Sequence, residues 1–181
     1  MPFPYRILRS RRKTIAVRIF PGGTLEVLCP LPMDDAAVAA FLAEKQARIL
    51  KALEKMPPPR EKITQQQLQD LKIKAKECLP KRVAHFAPLV GVAPGRITVR
   101  CQRSRWGSCS HKGNLNFNCL LMLLPEAVQD YVVVHELCHL KEMNHSARFW
   151  QLVENILPDW RNRQKILKTE GSALIAALPE A

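Results

Sequence analysis

The residues with the clearest chemical capacity lie between Val132 and Trp150, a stretch reading VVVHELCHLKEMNHSARFW. It holds an H-E-x-x-H pattern, His135-Glu136-Leu137-Cys138-His139, and a further histidine, His145, lies beyond it. On an α-helix, side chains four positions apart share a face, so His135 and His139 aim their rings at one point. That point is a metal site. A catalytic zinc takes three protein ligands and leaves a fourth position for water, so two helical imidazoles are one ligand short, and His145 is the expected third. Glu136 is a carboxylate in an otherwise apolar helix, where an unpaired charge is costly. Zn2+ is the expected ion, although imidazole sites also accept nickel, cobalt or copper. The expected chemistry is hydrolysis: the ion acidifies water and polarises a carbonyl or phosphoryl oxygen, with Glu136 as the general base.

Placing these rings requires a helix from Pro125-Glu126 through the motif, although Val132-Val133-Val134 prefer strand. The segment from Leu140 to Asn144 contains no glycine. Asn144 tolerates the left-handed conformation better than most residues and is the expected terminator. Ser146 then caps a helix from Ala147 to Leu157, stopped by Pro158. Cys138 points away from the ligand face and reads as core packing. His85 and His111 have no second ligand at helical spacing and are expected non-ligands.

Upstream, Tyr5 to Leu8 and Thr14 to Phe20 read as strands, and Thr14 to Phe20 forms a hairpin with Thr24 to Cys29 across Pro21-Gly22-Gly23. Asp34 or Asp35 opens a helix running to about Met56, and Pro57-Pro58-Pro59 is a stiff connector. A second helix is expected from about Thr64 to His85, with Pro80 placed to kink or divide it. Ile97, Val99 and Cys101 alternate with polar residues, as do Leu115, Phe117 and Cys119, which reads as a second hairpin around a loop at Ser104 to Gly113. A last helix is expected from about Arg161 to Leu178, packing through Ile166, Leu167, Leu174 and Ile175. The domain expectation is an N-terminal hairpin and helix extension over 1–59 and a core over 60–181.

The chain has 181 residues and a net charge of +12. Basic residues cluster in 1–25 and again from Cys78 to Pro125, both without a carboxylate, which favours an anionic partner such as nucleic acid or nucleotide phosphates. The six cysteines are irregularly spaced without C-x-x-C. They read as free thiols in a reducing compartment. No apolar run is long enough to span a bilayer, and the expected location is cytoplasmic, with no membrane partner.

Together, SRWGSCS (104–110), NLNFN (114–118) and YVVVHELCHLKEMNHSARFW (131–150) resemble the YgjP-like metal-dependent hydrolases, relatives of the SprT zincin-like metallopeptidases. The resemblance implies an α+β, minimal zincin-like fold, with a small antiparallel sheet beside the H-E-x-x-H helix and an N-terminal hairpin extension. It gives His135, His139 and His145 the ligand roles and Glu136 that of general base. Cys138 departs from the small residue more usual there.

The leading expectation is a zinc-dependent metallopeptidase acting on peptide or protein. The strand Asn114 to Asn118 is expected to add an extended peptide at a sheet edge. Arg105, Trp106 and Asn116 are candidate substrate-binding residues. The alternatives are a nucleoside triphosphate (UTP) pyrophosphatase, an activity described for members of the resembling family, and a nucleic-acid-binding module with an inherited metal site.

Overall fold

Alternation of apolar and polar residues near the N-terminus builds a three-stranded sheet from β1 (Tyr5–Ser10), β2 (Ala16–Ile19) and β3 (Leu25–Pro30). The central strand β3 runs antiparallel to β2, the expected hairpin, and parallel to β1. Leu25, Val27 and Cys29 project to one face and are buried with Val38, Leu42 and Ile49 from two helices, α1 (Asp35–Glu44) and α2 (Gln46–Leu53). Asp34 caps α1 by accepting from the Ala37 amide at 2.7 Å. One continuous helix was expected here, and the chain instead bends at Lys45 (φ −93°, ψ 4°). The bend lets Val38 and Leu42 on one segment and Ile49 on the other reach the same core. The computed structural model describes residues 3–20, 25–54 and 61–179, so the Pro-Gly-Gly turn and the triple proline lie outside the described residues. The chain divides into two units, Met1–Glu61 and Lys62–Ala181.

The second unit begins with a long helix, α3 (Gln65–Val90). Thr64 and Gln67 form a reciprocal capping box, with side chains accepting from each other's amides at 3.2 and 2.7 Å. The expectation that Pro80 divides α3 is not met, and neither is the end at His85. Ala75, Leu79, Val83 and Phe86 lie along one buried stripe, and this burial outweighs the backbone bond that proline cannot make. Termination falls to Gly91, whose φ of 72° suits glycine, with its amide bonding Pro88 O and the Val92 amide bonding Ala87 O.

A second sheet follows, with β4 (Ile97–Arg100), β5 (Gly107–Cys109) and β6 (Leu115–Asn118) in the order β4-β6-β5. The expected hairpin between the first and last of these is corrected. They pair in parallel, and the hairpin partner of β6 is β5, a short strand inside what reads as loop. The sheet is therefore mixed rather than antiparallel, and β6 is its middle strand. Asn118 fastens the crossover: its side chain donates to Gln102 O at 2.7 Å and Arg105 O at 2.9 Å and accepts from the Leu120 amide at 3.2 Å.

A 3-10 turn (Cys119–Leu123) leads into α4 (Glu126–Cys138), followed by α5 (Ala147–Ile156) and α6 (Trp160–Ala176). Val132, Val133 and Val134 are buried in helix, as the histidine spacing requires. Burying each valine is worth about 1.5–3 kcal/mol, which outweighs a helix-propensity cost under about 0.7 kcal/mol. Ser146 caps α5 by accepting from the Phe149 amide at 3.3 Å. On α6, Leu174 is buried as expected, but Ile166 is exposed. The architecture is α+β, and no helix among the described residues is long and apolar enough to cross a membrane.

Candidate metal centre

His135 lies on α4 and His139 immediately after its last residue, one turn on. Beyond His139 the chain reverses, with the Lys141 and Glu142 amides both bonding Cys138 O at 3.0 Å. Asn144 was expected to terminate the helix in the left-handed conformation, but no described residue other than glycine has positive φ. The reversal returns His145 to the other two rings. Its Nε2 lies 3.0 Å from His135 Nε2, which is itself 3.2 Å from His139 Nε2.

Three imidazole nitrogens facing one another at this distance lack enough protons to satisfy each other. His139 Nδ1 lies 3.0 Å from Glu142 O. A carbonyl can only accept, so the proton sits on Nδ1 and Nε2 presents a lone pair to the centre. Burial, then the neighbouring His139 and His145, push His135 down to about 3. Burial lowers His139 too, opposed by its bond to Glu142 O. Protons therefore compete less with a metal for the His135 and His139 nitrogens. A tetrahedral ion with bonds of 2.0–2.1 Å holds its nitrogens about 3.3 Å apart, so the residues fit a divalent transition metal. Among the described residues these three histidines are the one cluster of three or more histidine, cysteine or carboxylate side chains that could hold a cation. His85 and His111 stand outside it.

Aromatic rings on α5 hold the histidines in place. Phe149 stacks on His139 at 4.5 Å between centroids and meets His135 and His145 edge-on. Trp150 stacks on His145 at 5.6 Å and on Trp160 at 4.3 Å. Glu136 is 5% exposed. Burial pushes its carboxyl up to about 8, and the Arg105 guanidinium pulls the other way. Against it lies the backbone of Gly107 in β5, so close that a Cβ there would stand 2.5 Å from Glu136 Oε1.

The model of the YgjP-like metallopeptidase domain matches residues 60–170. This chain belongs to the YgjP-like family. No curated protein matches it by sequence. Two solved structures are similar over 50% of the YgjP-like chain, both metallopeptidase zymogens. Abylysin from Pyrococcus abyssi is 26% identical over 89% of its own length, with a TM-score of 0.45. Jannalysin from Methanocaldococcus jannaschii is 20% identical over 94% of its length, with a TM-score of 0.45.

In the YgjP-like domain the remaining candidates have separate surroundings. Arg105 is exposed at the end of the crossover, close enough to act on Glu136. Trp106 turns inward, and its ring lies against Gly171 of α6, where a Cβ would approach Cζ2 to 2.5 Å. Asn116 spends its amide within the sheet, accepting from Thr98 Oγ1 at 3.0 Å and donating to Gln102 Oε1 at 3.4 Å. Gly107, Asn118 and Phe149 were not singled out from sequence. All three lie within the stretches that bear the resemblance, which is the one signal that could have found them.

Proposed function

We propose that this domain is a zinc-dependent peptidase in which His135, His139 and His145 hold the ion and Glu136 is the general base. The observation that carries the reading is the convergence of the three imidazoles, with Glu136, next in sequence to His135, buried against Gly107 of the edge strand β5. Zinc in that cluster supplies Lewis acidity, acidifying a water molecule and polarising the carbonyl of a peptide bond. A bound cation would favour the carboxylate form of Glu136 over the protonated form that burial alone favours, and that carboxylate would accept the water proton and return it to the amine leaving group, which cannot depart as an anion. The Glu142 carbonyl fixes the His139 tautomer, and Phe149 fixes the ring planes.

The substrate strand is reassigned. β6 has partners on both sides, whereas β5 has one, so the extended peptide adds to the outer edge of Gly107–Cys109. Because Gly107 touches Glu136, a peptide seated there brings its backbone to the proton carrier. Arg105 projects at the start of that edge and is assigned to substrate, while Trp106 and Asn116 support the sheet.

The test is cleavage of an unfolded protein by the zinc-loaded chain. Cleavage should vanish with chelation and return with zinc. Glu136→Gln should keep the ion and lose activity by about 100- to 10,000-fold. Release of pyrophosphate from UTP without peptide cleavage would replace this reading with nucleotide hydrolysis.

A further inference from the structure

β4 and β6 pair Ile97 with Leu115, Val99 with Phe117 and Arg100 with Asn118. Cys101 and Cys119 are the next residue after each strand, where the register carried one step past the end of the ladder would set them opposite one another. Side chains alternate along a strand, so Cys101 follows Ile97 and Val99 onto the side that Cys119 shares with Leu115 and Phe117. Cys119 is buried in the apolar cluster of this unit, and Cys101 packs against that cluster half-exposed. Burial, together with its interaction with the Cys101 thiol, pushes Cys119 up to about 12. Adjacent strands stand about 4.7–4.9 Å apart, so residues just past the end of the ladder start within reach of the roughly 4.4–6.8 Å between Cα atoms that a disulfide spans. No two cysteines are partners within a strand ladder among the described residues, and Cys101 and Cys119 directly follow one.

We propose that Cys101 and Cys119 are a redox-responsive pair that closes into a disulfide on exchange with a low-molecular-weight disulfide. The half-exposed Cys101 thiolate attacks one sulfur of oxidised glutathione, breaking its S–S bond and releasing one glutathione thiolate. The Cys119 thiolate then attacks the Cys101 sulfur and expels the second. The protons lost by the two protein thiols pass to the two departing thiolates. The protein loses two electrons and glutathione disulfide gains them.

The bridge closes the base of the segment 102–118, which carries Arg105 and Gly107 to Glu136. Asn118 already ties both ends of that crossover to the sheet, so the disulfide fixes a geometry that the reduced chain holds with hydrogen bonds. Cys119 gives up its proton reluctantly. Its attack is therefore the slow step, and it quickens about tenfold per pH unit.

The experiment treats the full chain with oxidised glutathione across a pH series, blocks remaining thiols, and maps disulfides by mass spectrometry without reduction. The expected product is a Cys101–Cys119 peptide pair lighter by two hydrogens, formed faster at higher pH and lost in Cys101→Ser. Wild-type mapping decides alone if that variant does not fold. A Cys101 that stops at the glutathione adduct, with Cys119 still alkylated as a thiol after unfolding, overturns the proposal. A bridge joining any other pair overturns it equally.

Discussion

Replacing Gly107 by alanine asks whether the position of the Glu136 carboxylate governs turnover. The added Cβ would lie 2.5 Å from Oε1, 2.7 Å from Cγ and 2.8 Å from Cδ. Ordinary contact begins at 3.4 Å, so the carboxylate must withdraw by about 0.9 Å, and close packing around it leaves little room for a harmless rotation. A displacement near 1 Å at a reacting group costs on the order of 100-fold in rate, equivalent to about 2.7 kcal/mol in the barrier. The accompanying overpacking should lower stability by about 1–3 kcal/mol. The three nearest atoms all belong to Glu136 and none to a histidine, so bound metal should be unchanged by elemental analysis. The assay compares kcat/KM on one unfolded substrate for the parent, Gly107→Ala, Glu136→Gln and the double variant at equal metal content. Because Gly107 acts through Glu136, the double variant should be no slower than Glu136→Gln. A folded, metal-loaded Gly107→Ala within about threefold of the parent would refute this reasoning, as would losses that multiply in the double variant.

Asn118→Ala removes two hydrogen bonds donated to the crossover and one accepted from Leu120. At about 0.5–1.5 kcal/mol each, the loss is about 3 kcal/mol, or a fall in Tm of roughly 10 °C; a change under about 1 kcal/mol in denaturant unfolding contradicts it. Gly171→Ala drives a Cβ into the Trp106 ring and should cost about 1–3 kcal/mol. Trp106→Leu should relieve it, so strictly additive effects would show that the two do not touch. The metal-free protein should be most stable between about pH 4.5 and 6.5, flanked by losses of opposite origin. Glu136, raised to about 8 from 4.5, loses its contribution as pH rises through that interval. His135, lowered to about 3 from 6.5, loses its contribution as pH falls through its own, and the two slopes oppose where they overlap. Tm of chelated parent and Glu136→Gln from pH 6.5 to 8 checks this, and identical curves would remove Glu136 as the cause.

The histidine cluster was legible in sequence because helical spacing alone brings His135 and His139 together, and a third histidine near the helix end needs only a reversal to join them. The chain path of that reversal was not legible. Asn144 has the right local preference, yet backbone bonds to Cys138 turn the chain earlier without a left-handed residue. The sheet shows the same limit more sharply. Alternation found β4 and β6 correctly, but alternation carries no direction, and the parallel pairing depends on buried Asn118 binding carbonyls far away in sequence. β5 was missed because Gly107-Ser108-Cys109 has almost no strand preference of its own. Its strand geometry comes from β6, and its glycine is required by the side chain beneath it. Pro80 reads as a breaker locally, and only the buried stripe on either side explains why α3 continues.

His145 reaches the cluster from the far side of the 139–145 reversal, at the foot of α5, while the other two rings stay with α4. An ion captured there would rivet one helix to the next. All three rings already converge, with Phe149 packed against each of them, so an ion loaded there would find its site preformed. Loss of the ion should loosen the junction between α4 and α5 before it disturbs the rest of the unit.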